Sequence, residues 1–330
     1  MSLLLPTRPT PIGGAPQPAA RPASRPALVV LTIVFALLLT ALLLWHTLVP
    51  DIGGLGLLVD TAAPWLVLLV IPVLVMALVS RRPRALVAVL VPVIAWAALF
   101  GPSLVPLDWN APAASTADGT HLTVASQNIE ASSGTGDASA RTLAATGADV
   151  IALEEMTSDD FDSISATLAA EYPYSYGVGT VGLWSKYPVV NAQPLNLGLG
   201  WNRALGADLQ TPQGLVSIYV IHAASARPGD VSARDSMLAA LASTLPNDEN
   251  LRVLAVGDFN AASTDRAMGG IESQLTESNQ SEGMLGGTWP STLPFTRLDH
   301  LLQRGMTVTS NTTLAAGDSD HRAILASLNL

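Results

Sequence analysis

The 330-residue sequence predicts an N-terminal segment of three transmembrane helices followed by an α/β domain built on two sheets. Hydropathy, charge and periodicity each point to it. The mean hydropathy is +0.39, and the apolar excess is local: residues 27–101 are almost entirely Leu, Val, Ala, Ile, Pro and Trp. Charge divides at the same place. Up to Asn110 there are 6 basic and 3 acidic residues; beyond it there are 10 and 23, a net charge of −13. Past that point short alternating apolar runs are interleaved with runs of helical spacing.

Residues 1–26 are rich in proline and carry Arg8, Arg21 and Arg25, which predicts a disordered cytoplasmic tail. Residues 27–49 contain no charge, and about 20 apolar residues cross the hydrocarbon core. A cleavable signal peptide would have a shorter apolar core and a small-residue site soon after it. Here two more apolar segments follow instead, at 64–80 and 85–101, with Pro72 and Pro92 inside them. Such prolines are tolerated where neighbouring helices satisfy the freed carbonyls. Arg81, Arg82 and Arg84 lie between the second and third spans, whereas the loop between the first two has only Asp51 and Asp60. The positive-inside rule therefore puts the N-terminus in the cytoplasm and everything after the third span outside it. Residues 102–120 predict a linker reaching about 60 Å at most, which keeps the domain near the membrane surface.

In the domain at 121–330, strands are predicted at 121–130, 149–156, 174–178, 182–190, 204–210, 215–223, 252–260, 298–302 and 323–328. Helices are predicted at 138–146, 160–170 and 231–245. Mixed strands with interspersed helices imply a two-sheet α/β domain. The absence of cysteine excludes disulfides, thiolate metal sites and a nucleophilic thiol. So acidic a domain lacks the footprint of a protein that grips long nucleic acid by its phosphates, and no stable nucleic-acid complex is expected.

Polar residues gather at the ends of these strands, where open α/β folds place their sites. Alternation puts Asp258 and Asn260 on one face beyond the apolar run 253–256, and Asn128 and Glu130 are related in the same way. Glu154 and Glu155 end another strand on opposite faces, so spacing leaves open which of them enters a site. His222 ends the run 215–221; Asp299-His300 and Asp318-Ser319-Asp320-His321 complete the set. Each cluster alone reads as turn chemistry or a locally satisfied histidine. Six of them, in a domain sparing with charge, read as a site.

The ordered motifs are Ser126-Gln127-Asn128-Ile129-Glu130, Ala152-Leu153-Glu154-Glu155-Met156, Leu183-Trp184-Ser185-Lys186-Tyr187-Pro188-Val189, Ile221-His222-Ala223, Gly257-Asp258-Phe259-Asn260-Ala261, Arg297-Leu298-Asp299-His300 and Ser319-Asp320-His321-Arg322. Together they resemble the endonuclease/exonuclease/phosphatase superfamily, in the family's order. The resemblance implies a four-layer sandwich of DNase I-like type and a metal-dependent phosphoric ester or anhydride hydrolase. It implies Glu155 as the principal Mg²⁺ ligand, assisted by Asn128 and Asp320, with Mn²⁺ as a substitute; hard oxygen donors suit such a cation. His321, held by Asp299, would be the general base or bind the phosphate. Asp258 and Asn260 would orient the water and the phosphoryl group, and His222 would donate to a phosphate or leaving-group oxygen. Two departures stand out. The usual Thr-His-Leu is Ile221-His222-Ala223, which removes a hydroxyl near the phosphate; the usual Gln before the metal ligand is Glu154, which adds a carboxylate there.

The superfamily spans nucleic acids, phosphoinositides, sphingomyelin and lipid-linked phosphates, and fold does not choose among them. A membrane tether, an acidic domain and a single lysine, Lys186, favour a lipid-linked phosphate or diphosphate of the cell envelope. The three preceding spans also resemble the membrane-bound members linked to teicoplanin resistance. The alternatives are an extracellular nuclease and a membrane sensor with a vestigial domain; retention of Glu155, Asp258, Asn260, Asp299 and His321 weighs against the latter.

Overall fold

The computed structural model describes residues 26–109 and 120–330; the expected N-terminal tail up to residue 25, and residues 110–119 of the expected linker, lie outside the described residues. The chain begins with helix α1 (Pro26–Leu44). A second helical run, Ile52–Ser80, is built from α2 (Leu55–Ala62), a 3-10 stretch (Ala63–Leu69) and α3 (Val70–Ser80). Helix α4 (Pro83–Phe100) follows. Among the described residues these three runs are long and apolar enough to cross a membrane. Small and branched residues such as Ala36, Leu39, Val73, Ala77 and Val89 pack them together, while Leu38, Leu78, Val87 and Ile94 face outward. The second run starts well before the expected residue 64. Asp60, expected in the loop, is buried in that run and paired with groups outside its own helix, so its charge does not end the run.

The domain contains β1 (His121–Asn128), α5 (Gly136–Ala145), β2 (Val150–Glu154), α6 (Ser158–Leu168), β3 (Tyr174–Val178), β4 (Val181–Ser185), β5 (Val189–Pro194), β6 (Ala204–Thr211), β7 (Gly214–His222), α7 (Ser232–Thr244), β8 (Arg252–Asp258), β9 (Thr276–Glu277), β10 (Asp299–Arg304), β11 (Thr307–Leu314) and β12 (Ala323–Asn329). Among the described residues they form two six-stranded sheets, ordered β11-β12-β1-β2-β4-β3 and β5-β6-β7-β8-β10-β9. The β1–β2 and β7–β8 pairs are parallel, and each encloses a helical crossover. Helices α5 and α6 cover the first sheet through Leu143, Ile164 and Leu168; α7 covers the second through Met237, Leu238 and Leu241. The result is a four-layer sandwich, as the sequence predicts.

Three strands escaped the sequence, among them β9, whose two residues are too few to show a period. The expected strand at 182–190 is β4 and β5, one in each sheet, because the chain crosses between sheets at Lys186-Tyr187-Pro188 and proline cannot donate to a ladder. Strand β11 is an edge strand made mostly of Thr, Ser and Asn, so it carries little apolar alternation to read.

Strand parity delivers the polar groups to one place. Leu254 and Val256 of β8 face the core between the sheets, while Val253 and Ala255 face α7. The pleat therefore aims Asp258 at the inter-sheet side. The same parity runs from Leu122 and Val124 to Asn128, from Val150 and Ala152 to Glu154, and from Val216, Ile218 and Val220 to His222. Register aligns the ends: Asn128 lies beside Glu154, and His222 and Asp299 lie on either side of Asp258. Gly257 makes the close approach to β7 possible. Its φ is +125°, and a Cβ there would lie 2.1 Å from the Ile221 carbonyl oxygen.

The membrane segment docks against the domain. Arg266 Nε donates to Asp60 Oδ2 at 2.6 Å, Thr264 Oγ1 to the Asp60 carbonyl at 2.5 Å, and Arg266 Nη1 to the Val49 carbonyl at 2.7 Å. His46 Nδ1 reaches the other Asp60 oxygen at 2.9 Å. Gly54 lies so close to Pro228 that a Cβ would meet its Cα at 2.4 Å. Residues of the expected linker also dock: the Leu107 and Asp108 amides donate to the Gln280 and Ser281 carbonyls. Asp60→Ala leaves Arg266 and His46 without their anion and is expected to cost about 1–3 kcal/mol. In detergent this should lower the Tm of the full chain by roughly 3–8 °C. An unchanged Tm would mean that Asp60 does not hold the two parts together.

Candidate active site

Behind α2 a cavity of about 400 Å³ opens at the end of the sandwich, lined by Asn128, Glu155, His222, Asp258, Asn260, Asp320 and His321. Of the eight expected site residues only Asp299 is absent from the lining. It lies fully buried one layer below, where its Oδ2 accepts from His321 Nδ1 at 2.8 Å.

Each side chain is placed by local geometry. Glu155 follows β2 with φ +59°, a left-handed turn that leaves the pleat and swings it into the cavity. Helix α6 is capped straight after it: Thr157 Oγ1 accepts from the Asp160 amide, and the Asp160 carboxylate from the Thr157 amide. Asn128 Nδ2 donates to Asp258 Oδ2 at 3.0 Å, while its Oδ1 accepts from the Glu130 amide. Asn260, at φ +49°, gives its backbone amide to Asp258 Oδ1 and its Nδ2 to Oδ2. The loop carrying Asp320 and His321 is pinned by Gln127 Nε2 to the Ala316 and His321 carbonyls, and by Ser319 Oγ to the Asn128 carbonyl. At the rim Asp320 Oδ2 accepts from Trp289 Nε1, and its amide donates to Glu130 Oε2.

Burial sets the charges. It raises Asp258 to about 6, assisted by the nearby negative charge of Asp299. Burial and Asp299 likewise raise Glu154 well above the ordinary carboxylate range. Glu154 is fully buried, does not line the cavity and accepts from Ser126 Oγ. This corrects the expectation that it adds a carboxylate beside the metal: desolvation favours its neutral form, which carries no charge to offer a cation. Burial works against a charge on His321, but Asp299, Asp258 and Asp320 outweigh it and lift the imidazole to about 10.

His222 behaves in the opposite way. Burial and the positive Arg203 hold it well below its ordinary value, so it is neutral. Arg203 Nη2 can only donate, so it must meet His222 Nε2 as an acceptor. The ring proton then sits on Nδ1, which faces Thr180 Oγ1 at 3.0 Å. The expected donation from His222 to a phosphate therefore has no available N–H behind it. Thr180, in the turn between β3 and β4, meets His222 and does not line the cavity, so it does not replace the hydroxyl absent at Ile221. The sequence reading missed Arg203, Thr180 and Trp289; none lies in a strand-terminal motif. The nearest signal was Trp201-Asn202-Arg203, where the Arg203 guanidinium lies 4.9 Å from the Trp201 ring.

Two groups of donors deserve comparison as metal ligands. Oxygen and nitrogen atoms of Asp258, Asp299 and His321 lie within 4.8 Å of one another, where Asp299 is tied to His321 Nδ1 and Asp258 to Asn128 and Asn260. Glu155, Asn128 and Asp320 all line the cavity and carry oxygen donors, the chemistry that Mg²⁺ or Mn²⁺ takes. Asp299-His300 itself splits in two. His300 faces away from the site, donating to the Ala261 carbonyl at 2.8 Å and pairing with Glu277 at 2.5 Å, where Arg297 joins at 3.1 Å.

Buried carboxylates, a paired histidine and an oxygen donor set at the end of a four-layer sandwich define a metal-dependent phosphoester hydrolase. The profile of the Endonuclease/Exonuclease/phosphatase family matches residues 125–321. The chain belongs to that family. Comparison with curated proteins yields no significant match. Among solved structures the fold is similar to that of humanized D. rerio TDP2, with a TM-score of 0.55 and 17% identity over 64% of this chain and 100% of that one. It is similar to a mannosyl-6-phosphatase of Bacteroides thetaiotaomicron, with a TM-score of 0.54 and 17% identity over 63% and 100% of the two chains. Staphylococcus aureus beta toxin aligns with a TM-score of 0.51 and 14% identity over 62% and 99%.

The Glu277 network gives a pH-dependent prediction. Burial would raise Glu277, but Arg297 and His300 outweigh it and hold the carboxyl at about 2, below the ordinary 4.5. Its stabilisation is thus complete above the unfolded value and lost as pH falls from about 4.5 to about 2. Glu277→Gln should cost about 3–5 kcal/mol at pH 7, and the gap from wild type should close steadily in unfolding measured toward pH 2. A gap independent of pH would contradict this assignment.

Proposed function

We propose that the chain is anchored in a membrane by its three helices, with the domain outside the cytoplasm, and hydrolyses a lipid-linked phosphate or diphosphate of the cell envelope with Mg²⁺. One observation carries this reading: Leu57 and Thr61 of α2 form part of the wall of the catalytic cavity. A phosphate entering the site would arrive at the membrane surface. Arg81, Arg82 and Arg84 lie at the far end of the helices from the domain, and Trp45, Trp65 and Trp96 lie toward the near end, as charge bias and interfacial aromatics require for an external domain. Tethering raises the effective concentration of lipid phosphates at the site, whereas an acidic domain repels long nucleic acid. Kinship with the teicoplanin-resistance-type membrane proteins is part of the same reading, supported by the three spans ahead of the domain.

Glu155, with Asn128 and Asp320, would hold Mg²⁺, which supplies charge neutralisation on the phosphate oxygens. His321, cationic beside Asp299, donates to a phosphate oxygen rather than accepting a proton. Asp258, raised to about 6, is matched to take the proton of the attacking water near neutral pH. Asn260 and Asn128 hold that carboxylate in place through three hydrogen bonds. His222, neutral between Arg203 and Thr180, shapes the wall.

Glu155→Gln, Asp258→Asn and His321→Ala should each lower kcat by about 10²–10⁴-fold, with a retained Tm. EDTA should abolish activity and Mg²⁺ or Mn²⁺ restore it; full turnover in EDTA would remove this mechanism.

The substrate is tested with a panel on the full chain in mixed micelles at fixed Mg²⁺. Polyprenyl phosphates and diphosphates should be hydrolysed faster than DNA or RNA. Efficient nucleic-acid cleavage with lipid phosphates left intact would establish the nuclease reading.

A further inference from the structure

The catalytic cavity does not end at the phosphate site. It shares Thr61, Ala262, Phe295 and Thr296 with a second cavity of about 100 Å³, which extends to Pro64, Trp65, Phe100 and Ser103. That one shares Pro64, Trp65, Met284 and Leu285 with a third, of about 620 Å³, which ends on Val67, Leu68 and Trp96. These last residues belong to the membrane-crossing runs, and Leu68 is 55% exposed.

One face of the second span walls all three. Ala63–Leu69 is a 3-10 stretch, and side chains three apart in such a helix lie directly above one another. Pro64 and Val67 therefore make one file, and Trp65 and Leu68 a second beside it, both continuing below Thr61 at the end of α2. A regular α-helix would rotate these positions progressively away from the domain. Two indole hydrogen bonds keep the path in shape: Trp65 Nε1 donates to the Phe295 carbonyl at 2.9 Å and Trp96 Nε1 to the Pro64 carbonyl at 2.6 Å. From Thr61 to Leu68 the path descends about 10–14 Å at the rise of α- and 3-10 helices.

The wall also changes character along its length. At the top stand Asn128, Glu155 and Asp258; the middle cavity keeps polar groups such as Gln280 and Arg297, and the third adds Leu68, Trp96 and Leu104 on its membrane side. A ligand that fits has an anionic head and an apolar tail, and the tail leaves toward the hydrocarbon core. We infer that this file of cavities is a groove for the hydrocarbon chain of the substrate, letting the phosphate reach the catalytic cavity while the tail stays partly in the membrane. This rests on the lipid-phosphate reading above. The ligand class is a single-chain lipid phosphate, and the groove selects it by chain length. A second apolar groove, between Phe35, Leu38, Pro72 and Val73, shares no residue with the catalytic cavity and serves as the control.

Two measurements on the full chain in detergent test the groove. In the first, a hexadecyl phosphate carrying a diazirine at mid-chain is photolysed and the labelled residues are mapped. Label is expected at Trp65, Leu68 and Phe295, suppressed by excess dodecyl phosphate; equal label at Phe35 and Leu38, unaffected by competitor, would overturn the proposal. In the second, kcat/KM is compared across p-nitrophenyl alkyl phosphodiesters of increasing chain length, all below their micellar concentration. Each methylene that enters should raise it by up to about fourfold, and Ser103→Trp, which fills the middle cavity, should flatten the dependence. A wild-type enzyme indifferent to chain length overturns the groove, as does an unaltered dependence in Ser103→Trp. Preference for nucleic acid in the substrate panel instead sinks the lipid reading. Label in the groove combined with that preference would leave a lipid-binding groove without a lipid substrate, so the two failures are told apart.

Discussion

Three carboxyl groups, those of Glu154, Asp258 and Asp299, are buried where the two sheets meet, and the imidazole of His321 sits among them. No arrangement of that kind survives unless charge is removed or compensated, because an unpaired buried ion is far costlier than a paired one. The site does both. Glu154 is driven neutral, Asp258 is raised toward neutrality, and His321 is driven cationic against Asp299. The same tuning leaves one cationic imidazole and one carboxyl near neutral pH in the cluster. His222 shows the same economy with the opposite sign, since Arg203 already supplies a positive charge beside it.

That cluster is coupled mechanically to the membrane segment. Arg234 on α7 donates to the Asn260 carbonyl at 2.8 Å and pairs with Asp265 at 2.8 Å. The next residue, Arg266, is held by Asp60 of the second span. Thus the turn that presents Asn260 to Asp258 and the helix that walls the cavity are joined through four charged side chains. Displacement of the second span would be felt at the catalytic turn. Leu57 and Thr61 of the same run form part of the cavity wall.

The 3-10 stretch at Ala63–Leu69 gives the same span a further use. Long 3-10 runs are uncommon because their hydrogen bonds are poorer than those of an α-helix. Here the segment stacks Pro64 on Val67 and Trp65 on Leu68 along the domain, and two indole hydrogen bonds brace it. Pro64 lies at the start of the stretch, where its missing N–H costs little.

Much of this was legible in the sequence. Apolar length announced the membrane segment, and period-two alternation announced the strands that end in Asn128, His222 and Asp258, because one face of each had to be buried. The motifs at those ends identified seven of the residues lining the cavity, and Asp299 beneath it. Alternation could not choose between Glu154 and Glu155, since the choice was made by a left-handed turn at Glu155 that breaks the pleat. Nor could it reveal strand β11, whose Thr-rich pattern is polar on both faces, or the division of 182–190 between two sheets. Arg203 and Thr180 meet His222, and Trp289 meets Asp320, all from outside the named strands, and no local pattern marks a residue whose role is set by its partner. The docking of Asp60 on Arg266, 206 residues apart, and the continuity of the cavity with the spans likewise exist only once the chain is folded. Local chemistry follows from short-range sterics and hydrophobic period, which a sequence displays; the protonation of buried groups and the path of a groove depend on what long-range packing excludes from water.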